Sequence, residues 1–216
     1  MKIKLLSCFT ALFFLFALTN FVQADETCSD KKLVVLGDSL VAGYGLGPSE
    51  GFPEQLGKAL EGEGINLKII NAGVSGDTST GGLARLDWSI GEDASAVIVE
   101  LGANDALRGI TPEATRKNIE QIIIKLKAKD IKVLLAGMMA PPNMGPAYGK
   151  AFNRIYQELA HAHDILLYPF FLDGVAAQPK LNQADGIHPT KEGVSEIVKR
   201  FMPAAKKLIS QICISD

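Results

Sequence analysis

Five short apolar runs recur along this chain, and stretches with helical patterning fall between successive runs. That alternation constrains the fold more than any other feature. The runs cover residues 33–36, 67–70, 96–101, 131–136 and 165–168. Between them, 52–60 places Phe52, Leu56, Ala59 and Leu60 on one helix face, 82–90 reads as a short helix, and 147–162 as a longer one. The clearest helix opens at Thr111-Pro112, with Thr as N-cap, Pro in the first position and Glu113 in the first turn. Its buried face is Ile119, Ile122, Ile123 and Leu126. A last helix is expected over 190–212, kinked at Pro203. Strands separated by single helices, with strands apolar on both faces, mean a parallel sheet covered on both sides. The expectation is a three-layer α/β/α domain with five parallel strands in the flavodoxin-like order 2-1-3-4-5.

In such a sheet, sites form where strands deliver their C-terminal ends. Ser39 follows the first run, Gly73 the second and Asn104 the third, while Asp185 and His188 lie in the loop before the last helix. A carboxylate three residues before an imidazole can orient that ring, and a serine on a strand-ending turn can be its nucleophile. Gly73, having no Cβ, lets a carbonyl approach its amide, and Asn104 offers neutral N–H donors; both suit an oxyanion hole. Any one of these residues alone reads more simply as a turn residue. Three at successive strand ends, with the Asp185–His188 pair before the last helix, read as a site.

These residues sit in four blocks. They are Gly37-Asp38-Ser39-Leu40, Asn71-Ala72-Gly73, Gly102-Ala103-Asn104-Asp105 and Asp185-Gly186-Ile187-His188-Pro189, in that order. With them the chain resembles the SGNH hydrolases (the GDSL esterase family), and more narrowly its periplasmic arylesterase, thioesterase and lysophospholipase branch. The resemblance implies a serine esterase with Ser39 as nucleophile, His188 as base and Asp185 as orienting acid. It also implies an oxyanion hole from the N–H groups of Ser39 and Gly73 and the Asn104 amide. Substrates would be aryl or short-to-medium acyl esters, thioesters and lysophospholipids, with no cofactor and no metal. Alternatives are a carbohydrate acetylesterase or acyltransferase using the same triad, or a non-catalytic periplasmic binding protein.

Met138, Met139, Pro141 and Met144 follow the fourth run and would form an adaptable apolar wall for the substrate, or else cap the core. Asp38 and Asp105 are read as tying loops together. His161, His163 and Asp164 read as a solvated helix end, since side chains two apart share no helix face. Gly43-Tyr44-Gly45-Leu46-Gly47 matches no phosphate-binding spacing and reads as a bend around the serine turn.

Residues 1–24 read as a cleaved signal peptide, leaving 25–216 as the hydrolase domain in the periplasm or outside the cell. Lys2 and Lys4 lead an apolar run too short for the roughly 20 residues of a membrane span, and Ala24 suits a cleavage site. The competing reading is an uncleaved anchor. Cys8 precedes the apolar run, the wrong order for lipidation. Losing Lys2 and Lys4 takes 22 basic residues to 20 against 24 acidic ones, a net charge of −4. That balance offers nothing to nucleic acid or anionic lipid, so the expected partner is a small ester, with oligomeric state open. Cys28 and Cys213 would both lie near the N-terminal edge of the sheet. A disulfide between them is expected, the alternative being two unbonded thiols.

Overall fold

The computed structural model describes residues 28–213, so the leader reading for 1–24 lies outside the described residues. Five parallel strands form one sheet: β1 (Lys32–Gly37), β2 (Lys68–Gly73), β3 (Ala96–Glu100), β4 (Lys132–Ala136) and β5 (Leu166–Tyr168). Their order is β2-β1-β3-β4-β5, the flavodoxin-like order expected. Central β1 and β3 are buried on both faces, which is why they read as continuous apolar runs. Register pairs Gly37 with Gly73 across β1 and β2, and Leu36 with Val99 across β1 and β3. The ends of the first three strands therefore lie side by side.

Helices α2 (Phe52–Gly62) and α9 (Lys191–Ile209) pack together on one face. On the other lie α3 (Ser79–Ala84), α6 (Pro112–Lys127) and α8 (Ile155–His163). Thr111 caps α6 as its sequence predicts, accepting from the Ala114 N–H at 3.3 Å. Phe52, Phe171 and Phe201 meet edge to face under α2 and α9, the first two at 4.9 Å. Cys28 and Cys213 are joined across 185 residues, with Cα atoms 5.2 Å apart.

Three expectations need correction. Strand β2 continues to Gly73, so Asn71-Ala72-Gly73 belongs to the strand and not to a loop beyond it. The helix expected over 82–90 is two short ones, α3 and α4 (Leu86–Ser89), joined at Arg85. That guanidinium bonds Asp77 at 2.6 Å and the carbonyl of Gly37 at 2.9 Å. The helix expected over 147–162 is likewise two, α7 (Pro146–Asn153) and α8, meeting at Arg154. Helix α9 continues through Pro203. Pro203 is exposed, and so is Lys199, whose carbonyl loses the N–H partner, so solvent can supply it.

Candidate active site

Strand β1 ends at Gly37, and Asp38 caps the four-residue helix α1 (Ser39–Ala42) by accepting from the Leu40 N–H at 3.0 Å. The turn raises Ser39 to the C-terminal edge of the sheet. Across that edge, the Ser39 hydroxyl lies 2.8 Å from His188 Nε2. His188 Nδ1 lies 2.7 Å from Asp185 Oδ2. The other oxygen of Asp185 accepts from the backbone N–H groups of Ile187 and His188, each at 3.0 Å. Gly186, at φ +74°, makes this tight turn possible. Those backbone donors, with the imidazole, hold the Asp185 carboxyl down at about 2. It is a permanent anion beside the ring.

Gly102, at φ +117°, turns the chain from β3 into α5 (Ala103–Leu107), which carries Asn104. One hydrogen of the Asn104 amide goes to Asp38 Oδ2 at 2.9 Å, which sets the orientation of the amide. Gly73 sits at the end of β2 with its N–H 3.0 Å from Asn71 Oδ1, so any oxyanion role needs that hydrogen to be shared. Its missing Cβ serves a second purpose. A methyl there would lie 2.7 Å from both Ala42 Cα and the Val41 carbonyl carbon, so only glycine lets α1 sit on β2.

Beneath Ser39 two carboxyl groups are fully buried. Glu100 Oε2 accepts from the Asp38 N–H at 3.3 Å, and Glu100 Oε1 has no partner among the described residues. Burial pushes Asp38 up to about 6, against the pull of Leu40 and Asn104. Burial first, and the Asp38 charge second, push Glu100 well above the usual carboxylate range, which favours its protonated form. A neutral acid there avoids most of the cost of an unpaired buried charge.

An apolar cleft of about 440 Å³ opens beside Ser39 and His188. Met138, Met139 and Pro141 line it, together with Leu107, Phe170 and Ile187. Met144 is not on its wall and lies toward Gly109 instead. Leu107, Phe170 and Leu172 were not expected there. The short helix α5, which carries Leu107 one turn past Asn104, was invisible as a pattern, but the strand-end rule applied to β5 would have found the other two. A polar groove of about 510 Å³ at the opposite end of the sheet contains none of these residues.

The remaining candidates are structural. Asp105 is buried, accepting from the Ser79 N–H at 2.7 Å and the Thr115 hydroxyl at 3.1 Å, with the Ser79 hydroxyl as a further partner. It ties α3, α5 and α6 together. His163 pairs with Glu120 at 3.0 Å, linking α8 to α6. Gly43 and Gly45 both have positive φ and bend the chain after α1, as expected of that glycine-rich stretch.

Comparison with known proteins agrees with the geometry. Residues 35–195 match the model of the GDSL-like Lipase/Acylhydrolase family. The chain is 43% identical to Esterase TesA of Pseudomonas aeruginosa, covering 87% of this chain and 94% of that one. It is 39% identical to an Arylesterase of Vibrio mimicus, over 88% of this chain and 91% of the relative. Identity to Thioesterase 1/protease 1/lysophospholipase L1 of Escherichia coli is also 39%, over 83% of each. The crystal structure of TesA superposes with a TM-score of 0.78 at 42% identity, covering 82% of this chain and 99% of that one. Family match, overall likeness and strand order converge: the chain belongs to the GDSL-like lipase/acylhydrolase family, with the fold of the SGNH hydrolases.

Proposed function

We propose that this protein is a serine esterase that cleaves carboxylic esters, thioesters included, through an acyl-Ser39 intermediate. The observation that carries the reading is the unbroken chain Asp185–His188–Ser39, with links of 2.7 and 2.8 Å. As Ser39 Oγ bonds the substrate carbonyl carbon, its proton passes to His188 Nε2 and the carbonyl electron pair moves to oxygen. Asp185, already ionised, steadies the imidazolium. The second hydrogen of the Asn104 amide, with the N–H groups of Ser39 and Gly73, receives the oxyanion. Collapse returns the Nε2 proton to the leaving oxygen or sulfur. Water, passing a proton to His188 Nε2, then attacks the acyl carbon; the bond to Ser39 Oγ breaks, Oγ takes that proton back and the acid is released.

The apolar cleft beside Ser39 suits an acyl or aryl group and offers little to a sugar. The relatives are named esterase, arylesterase and thioesterase, which supports the same substrate class. Residues 1–24 are proposed as a cleaved leader and 25–216 as the exported hydrolase, in the periplasm or beyond. The Lys2–Lys4 start supports export, as does the Cys28–Cys213 disulfide, which suits an oxidising compartment. Among the described residues, no helix is long and apolar enough to cross a membrane.

Replacing Ser39 with alanine tests the proposal directly. Ser39→Ala should lower kcat on p-nitrophenyl esters by roughly 10⁴-fold or more and abolish labelling by a fluorophosphonate. Parent-like hydrolysis by that variant would refute it. A panel of acyl esters, acetylated sugars and acyl-CoA then ranks substrates.

A further inference from the structure

The mechanism above leaves Tyr44 without a task, although its ring is among the nearest neighbours of His188. The ring centroids are 4.6 Å apart, with planes inclined by 37°. Tyr44 is half-exposed, so burial alone does not hold it there. Gln183 does. Its side-chain amide donates to the Tyr44 carbonyl at 2.8 Å and to the Pro189 carbonyl at 2.9 Å, while its backbone N–H donates to the His188 carbonyl at 2.7 Å. Gly43 and Gly45, at φ +76° and +75°, flank Tyr44 and let the loop fold back over the site. A side chain at position 45 would collide with the Gln183 carboxamide. One glutamine thus staples the loop after the nucleophile to the loop that carries the base.

We infer that Tyr44 is a positioning residue for this reaction: held by Gln183, its ring lies against the His188 imidazole and favours the cation that forms when Nε2 takes the Ser39 proton. This rests on the reading of Ser39 as nucleophile and His188 as base. An aromatic face attracts a cation within about 6 Å of its centroid, and the neutral ring much less. The interaction therefore grows along the reaction coordinate, which is the condition for accelerating it. The other groups facing the imidazole are Ser39 and Asp38 from the α1 turn and Asp185 from the histidine's own loop. All of these stay unchanged when Tyr44 alone is replaced. Tyr44 is not on the wall of the substrate cleft, so its effect should appear in kcat and not in KM.

The test compares Tyr44→Leu, Tyr44→Phe and Tyr44→Trp with the parent on p-nitrophenyl butyrate from about pH 5 to about 9, recording each melting temperature. Tyr44→Leu should lose about two- to fivefold in kcat with KM within about twofold. Its acid limb should move to lower pH by about 0.3–0.7 unit, that same factor expressed as a logarithm. Tyr44→Phe keeps the π face and should recover both. Tyr44→Trp should move the limb the other way, and it decides the matter if the leucine variant does not fold. An unmoved limb in Tyr44→Leu overturns the inference, as does an equal loss in Tyr44→Phe or a change confined to KM. Fluorophosphonate labelling separates the two levels. A parent enzyme that fails to label at Ser39 sinks the nucleophile itself, whereas a labelled parent with an unmoved limb sinks only Tyr44.

Discussion

Gly73→Ala is the substitution for which the structure dictates the outcome most directly. The added methyl would stand 2.7 Å from Ala42 Cα and from the Val41 carbonyl carbon, and nearer still to the Ala42 nitrogen. Ordinary van der Waals contact begins at 3.4 Å. The two backbones must therefore separate by more than about 0.7 Å (3.4 less 2.7, with the nitrogen nearer still), a strain of the overpacking kind that costs about 1–3 kcal/mol. All the offending atoms belong to α1, whose first residue is Ser39. Strand β2 is bonded to β1 along its length, so α1 is the part that yields. Misplacement by about 1 Å at a reacting centre costs on the order of 10²-fold. We expect kcat on p-nitrophenyl butyrate to fall by about 10- to 100-fold, with a lowered melting temperature. Gly57→Ala is the control. Its methyl meets only Ile69 Cδ1 at 3.7 Å inside α2, so that variant should gain about 0.5–1 kcal/mol and keep its rate. A Gly73→Ala enzyme with parental kcat and melting temperature would refute the reasoning.

Two further outcomes follow from the buried and paired acids. Asp185→Asn removes the charge that, in the proposed mechanism, steadies the imidazolium, and should lower kcat at neutral pH by roughly 10³- to 10⁴-fold in steady-state assays; a loss under tenfold would argue against its role. Because the folded-state value of Asp185 is about 2, below the usual 3.8, its contribution is intact above about pH 4 and is lost only as pH falls through 2. Any decline of activity between about pH 5 and 7 therefore belongs to other groups. Asp38 and Glu100 run the opposite way. Both hold protons in the folded state that the unfolded chain releases, so stability falls as pH rises, through about 4 to 6 for Asp38 and higher for Glu100. Glu100→Gln mimics the neutral acid and should lessen the fall in stability with rising pH, read from urea midpoints at pH 5 and 8. An unchanged pH dependence would show that Glu100 is ionised in the parent.

The fold was largely readable because each strand is buried as a short apolar run and each long helix carries one apolar face. Caps marked the boundaries well where they exist, as at Thr111 and Thr190. Boundaries failed where a long-range contact ends an element. Arg85 leaves its helix to reach Gly37 and Asp77, partners 48 and 8 residues away, and no local pattern announces that. Helices α1 and α5, four and five residues long, are too short to show a period at all.

Sequence by itself determined the layered α/β/α class and the four blocks carrying Ser39, Gly73, Asn104 and the Asp185–His188 pair, because periodicity and turn chemistry are local. Only tertiary structure decided that Ser39 and His188, 149 residues apart, meet at 2.8 Å. It alone decided that Gly73 is a packing necessity under α1, that Met144 stands off the cleft that Leu107 and Phe170 line, and that Tyr44 lies on the imidazole. Those facts depend on distances between segments far apart in the chain, which are set by how helices and loops pack over the strand ends.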